Sequence, residues 1–160
     1  MAAAPGWTVN ARSIEIQEER ALLLSSDTRG GAPFFPSAGG RVFRTLEIPT
    51  TLPTLDEVLA WPHAAGEDAR RWLYRKAVQG TEVHTVHTEV EGGPYAALFE
   101  RILDDWRADG VTFLLLSEIA RERLGGREPV PEREVAKTRL PGRGGRVATG
   151  WPRSQGPCAG

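Results

Sequence analysis

The chain has 160 residues, 40% hydrophobic and 26% charged, with a formal net charge of −1. This is the make-up of one globular domain, and its total charge excludes a nucleic-acid binder that works through bulk positive potential. A single cysteine, Cys158, excludes both an internal disulfide and a cysteine-based metal centre.

No apolar stretch is long enough to span a bilayer; residues 111–116 are among the longest. Met1 to Trp7 has neither the basic nor the apolar region of a signal peptide. Ala2-Ala3-Ala4-Pro5-Gly6-Trp7 reads instead as a strand end running into a loop, as if from the inside of a folded protein.

Asn10 is an N-cap signal for a short helix carrying Ile14, Ile16 and Ala21 with an acidic face. Residues 22–26 form an apolar run expected to be a buried strand. A long Gly-, Pro- and Phe-rich loop is expected over residues 27–44, and loops of that length in compact domains are often functional. Residues 45–48 read as a strand that stops at Pro49. Thr54 and Glu57 form a capping box for a helix that ends before Pro62.

Residues 67–78 are expected to be helical, with Ala69, Trp72, Leu73 and Val78 on one side and Gly80 at the end. Residues 82–88 read as a strand. A helix over residues 95–108 follows Pro94, with Leu98, Ile102 and Trp106 at helical spacing and Gly110 past its end. Residues 111–115 read as a strand, and Ser117 as the cap of a helix ending near Leu124. Alternating strands and helices predict an α/β fold with a parallel sheet and functional residues at the carboxyl ends of its strands.

From Gly125 onward there are seven Lys/Arg and three Asp/Glu, leaving the first 124 residues acidic. The expected organisation is a domain over residues 1–124 and a weakly ordered basic tail over 125–160. That tail could also meet an anionic membrane surface. Its Gly142-Arg143-Gly144-Gly145-Arg146 run lacks the lysine and hydroxyl of a phosphate loop.

Two of the three histidines lie on the expected strand over 82–88. Period-two geometry puts His84 and His87 on opposite faces, with His87, Glu89 and Thr85 sharing one. His87 would then stand at the chemical end of the strand, although a lone strand histidine is more often structural. Asp27 ends an earlier strand at the same height. It is either a partner that orients and charges His87 or a cap of its own turn. His63 follows Trp61-Pro62 and shows no partner.

Three segments together resemble the polysaccharide deacetylase (NodB-homology) family. They are Ser26-Asp27-Thr28-Arg29-Gly30, Ile48-Pro49-Thr50-Thr51-Leu52-Pro53-Thr54-Leu55-Asp56-Glu57-Val58, and Val86-His87-Thr88-Glu89-Val90-Glu91-Gly92. The resemblance covers residues 2–124 and is to the C-terminal half of the family's sugar deformylases. It implies the C-terminal part of a distorted (β/α) barrel of the polysaccharide deacetylase type. It implies a divalent metal held by one Asp and two His, with a second Asp as base. All four belong to N-terminal motifs, and the H-x-x-x-H pair has no counterpart in this chain. Metal ligands are therefore expected outside it.

What carries over is His87 as general acid on the leaving amine and Asp27 as its partner. Gly6, Trp7, Arg29 and Glu89 carry over as substrate-facing residues, while Thr8 stands where the family has Arg. The implied reaction is hydrolysis of an N-formyl or N-acetyl group on a sugar linked to undecaprenyl phosphate. It would take place at the cytoplasmic face of the inner membrane, with peripheral contact through the basic tail and no nucleic-acid partner.

The chain is thus expected to be a C-terminal fragment of a metal-dependent carbohydrate N-deacylase, inactive by itself and prone to self-association through open strand edges. The alternative is a non-catalytic remnant or sugar-binding module. A nucleotide-binding α/β domain is disfavoured by the missing phosphate loop.

Overall fold

In the computed structural model of the chain, which describes residues 1–62, 64, 66–78 and 80–152, each end of the first helix follows from its sequence. Asn10 opens α1 (Ala11–Glu19) by accepting from the Ser13 amide at 3.0 Å, satisfying a donor the helix itself leaves over. Ile14 and Gln17 face inward. His63 and Cys158 lie outside the described residues.

The chain forms two units. The first comprises Met1–Thr50, Leu114–Leu140 and Gly145 onward; the second comprises Thr51–Phe113 and Pro141–Gly144. In the first, β1 (Leu24–Ser25) pairs in parallel with β4 (Leu46–Glu47), as the two apolar runs predict. The segment between them is not one long loop. It contains the hairpin β2 (Phe35–Ala38) and β3 (Arg41–Val42). Gly39 and Gly40 both take positive φ, 58° and 82°, the two-residue turn whose twist matches an antiparallel pair. Phe34 and Phe43 flank the hairpin and are buried.

The basic tail is also ordered over much of its length, contrary to expectation. It supplies β5 (Glu132–Thr138) and β6 (Val147–Pro152) to a four-stranded sheet of order β3-β2-β5-β6. β5 runs parallel to β2 and antiparallel to β6. Val147 and Ala148 are buried, and Ala148 packs with Val9, Ile14 and Phe43. The expected parallel sheet is therefore a mixed one. Helix α6 (Leu116–Gly125) begins one residue beyond Leu115, whose amide donates to Glu118 at 2.7 Å; Ser117 lies inside the helix and is not its cap.

The second unit is helical. α2 (Leu55–Leu59) carries the expected Thr54–Glu57 pairing, the Glu57 carboxylate accepting from the Thr54 amide at 3.1 Å. α3 (Gly66–Ala77) packs on α5 (Ala96–Ala108). Leu55, Val58, Tyr74, Leu98, Ile102 and Trp106 form the core. Tyr74, rather than the expected Trp72, is the aromatic turned inward; Trp72 is 57% exposed and carries Lys76 over its ring. Gly110 follows α5 with φ 78°, and the Val111 amide reaches back to the Trp106 carbonyl.

Two expected strands are absent. Residues 82–87 are irregular and lead into a short helix, α4 (Thr88–Glu91). Residues 111–115 are irregular as well, with Phe113, Leu114 and Leu115 more than half exposed. A strand exists only by pairing, and neither segment finds a ladder partner among the described residues. The fold is mixed α/β, and the described residues close no barrel.

Candidate functional site

Each unit gathers a polar cluster of its own. In the first, Pro5–Trp7 forms a 3-10 turn in which Gly6 and Trp7 both take positive φ, 60° and 54°. The left-handed region costs a tryptophan about 1 kcal/mol or more, so the surroundings must hold it there. Trp7 is buried, its indole N–H donates to Thr50 Oγ1 at 3.2 Å, and the Arg29 guanidinium lies 4.8 Å from its ring centre. Arg29 is itself largely buried, and its amide donates to the Ala148 carbonyl at 2.8 Å. Gly6, Trp7 and Arg29, three of the expected substrate-facing residues, are thus brought together.

Asp27 is buried beneath the same turn. Its Oδ1 accepts from the Ala4 amide at 2.5 Å and its Oδ2 from Gln17 Nε2 at 2.6 Å. Next to it lies a carboxylate the sequence reading passed over. Glu47 Oε1 accepts from the amides of Asp27 and Thr28 at 2.7 and 2.8 Å and from the Thr28 hydroxyl at 2.8 Å. Its Oε2 accepts from the Ser25 hydroxyl at 2.5 Å. Burial pushes the Glu47 carboxyl up to about 7; the Ser25 hydrogen bond opposes this and the Asp27 charge adds to it. The available signal was an acid between Leu46 and Ile48 in an otherwise apolar strand, where an unpaired charge would be costly.

In the second unit, His87 is not a strand residue. It is the N-cap of α4, and so the expected shared face with Thr85 and Glu89 does not form; Glu89 lies exposed on the helix. The His87 side chain is 30% exposed, with Nδ1 3.4 Å from Asp56 Oδ1. Its amide donates to Glu91 Oε2 at 2.9 Å. Glu91 is buried, and its Oε1 lies 3.8 Å from His84 Nε2. His84 sits among Tyr74, Trp106 and Phe99, with ring centres 5.1, 5.6 and 5.9 Å away. It is packed among these rings. Asp56 and Glu91 were missed because their relation to His87 appears only once a helix starts there, which places Glu91 four residues on, one turn away.

Chemically, the second unit offers a partly exposed imidazole beside a carboxylate, an arrangement able to give and take a proton. The first offers a cation and an indole N–H fixed against a left-handed turn. Among the described residues no group of three or more His, Cys, Asp or Glu side chains is placed to hold a metal ion. The donor set implied by the resemblance is not met by these residues, and no chemical step is assigned to a metal here. No helix of the described residues is long and apolar enough to cross a membrane.

No family model matches the chain. It is 30% identical over 149 residues to the probable 4-deoxy-4-formamido-L-arabinose-phosphoundecaprenol deformylase ArnD of Wigglesworthia glossinidia brevipalpis, a match covering 91% of this chain and 51% of the relative. It is 28% identical over 118 residues to the protein of the same name from Shewanella sediminis (strain HAW-EB3), covering 73% of this chain and 37% of the relative. The chain spans about half the length of the first relative and less of the second. The resemblance carried by the three motifs is thereby borne out as a similarity to sugar deformylases, in their C-terminal half.

Proposed function

We propose that this chain is the proton-donor half of an amide hydrolase that removes an N-formyl or N-acetyl group from an amino sugar carried on a polyprenyl phosphate. The observation that carries this is His87: the histidine of the matched motif stands at a helix start, partly exposed and with Nδ1 3.4 Å from a carboxylate. In amide hydrolysis the amine is a poor leaving group until its nitrogen is protonated as the C–N bond breaks. His87 gives that proton. Gly6, Trp7, Arg29 and Glu89 keep the substrate-facing role, and Asp27 the role of partner to His87, that the resemblance implies. The metal dependence implied by the resemblance belongs to the complete enzyme, and the described residues do not account for it. The substrate places the work at the cytoplasmic face of the membrane, where the basic residues beyond Gly125 make a peripheral contact.

The test is formate release from a formamido-arabinose phospholipid. The assay uses the 160-residue chain, alone and joined in frame to the N-terminal half of the Wigglesworthia relative. The chain alone is expected at background and the joined protein well above it. A joined protein that binds the lipid-linked sugar without releasing formate would establish the alternative, a sugar-binding module. Separate Asp27→Asn and Asp56→Asn variants of the joined protein identify which carboxylate serves His87: the true partner lowers the rate about tenfold or more and shifts its pH profile.

A further inference from the structure

Glu91 makes two contacts that packing alone would not require. One oxygen holds the main chain of His87, accepting its amide at 2.9 Å and so fixing where α4 begins. The other, Oε1, is wholly buried, has no hydrogen-bond partner among the described residues, and faces His84 Nε2 at 3.8 Å. A carboxylate oxygen in that state is costly unless a positive charge answers it. His84 is the neighbour able to supply one, and the rings of Tyr74, Phe99 and Trp106 around it are uncharged.

From α2, Asp56 lies beside His87, while Glu57 is engaged by the Thr54 amide and by Arg143 Nη1 at 3.5 Å. Separation of 3.8 Å is too long for a good hydrogen bond and short enough for an ion pair.

We propose that Glu91 is a positioning residue that fixes His87 through its main chain and links that position to the protonation of His84. His84, three residues before His87, is then more than core. When His84 is charged, Glu91 is paired on both oxygens and the α4 start is held most firmly. When His84 is neutral, one oxygen is left buried and unanswered. This deepens the reading of His87 as proton donor, but it is measured without turnover, so the two can fail separately.

The experiment is an NMR titration of the histidine rings of the whole chain, with hydrogen exchange at the His87 amide. Glu91→Gln keeps an acceptor for that amide and removes the charge. It is expected to weaken proton binding at His84 about tenfold while leaving His87 exchange near wild type. Glu91→Ala is expected to speed that exchange about tenfold. A His84 change under threefold in Glu91→Gln, or an unchanged exchange rate in Glu91→Ala, overturns the proposal. Should Glu91→Ala not fold, His84→Phe tests the same link from the other side. There the His87 amide is expected to lose the dependence of its exchange on His84 charge, and an unchanged dependence would overturn the link.

Discussion

Glu47 shows how one buried side chain sets a pH response. Its two oxygens accept from Ser25, Asp27 and Thr28, yet burial still pushes its carboxyl up to about 7, against about 4.3 for an exposed glutamate. The folded state therefore binds this proton more tightly than the unfolded chain does. The stability Glu47 contributes is fully present below about pH 4.3 and is lost as pH rises through about 7. The loss is on the order of 3 kcal/mol across that window. Glu47→Gln keeps the acceptor at Oε1 and places a donor opposite the Ser25 oxygen. It is expected to flatten this dependence and to raise stability at pH 8, as read from urea unfolding at several pH values. A variant less stable than wild type at pH 8, with the slope intact, would show that the ionised carboxylate is the favoured form.

Element by element, what was legible in the sequence was what local chemistry decides. Asn10 and the Thr54–Glu57 pair announced their helices, and Leu98, Ile102 and Trp106 placed the inner face of α5 correctly. The failures came where pairing across the chain decides. Residues 82–88 and 111–115 have strand composition but no strand beside them among the described residues. Residues 132–138, charged enough to pass for a tail, pair with β2, and residues 147–152 pair with them in turn. Trp72 and Tyr74, two residues apart, face opposite sides of α3, and it is the Tyr74 side that packs into the core. The site followed suit: Trp7, Arg29 and Asp27 were named from motifs, whereas Glu47, Asp56 and Glu91 became visible only through their contacts.

The tail's role in the sheet is testable at Gly150, where a Cβ would stand 2.4 Å from the Phe34 ring. Gly150→Ala is expected to cost about 1–3 kcal/mol by overpacking, measured as a lower denaturation midpoint. An unchanged midpoint would mean that β6 does not sit against Phe34 in solution.

For the molecule as a whole, the chain spans about half the length of the first deformylase it resembles and less of the second. Arg127, Lys137, Arg139 and Arg146 are exposed on the first unit, and the peripheral membrane contact proposed above would run through them. Replacing all four with Gln is expected to weaken binding to vesicles containing anionic lipid more than tenfold at low salt, at about 1 kcal/mol per charge. Equal binding by both proteins in a flotation assay would remove the basic segment from the account.

The central claim is that His87 protonates the leaving nitrogen, and leaving-group dependence tests it most directly. In the joined protein, His87→Asn is expected to slow release of formate from an ordinary sugar formamide by about 100-fold or more. On a formamide of a weakly basic amine, which departs without help, the same variant should lose less than about tenfold. An equal loss on both substrates would contradict the claim and reduce His87 to a structural N-cap.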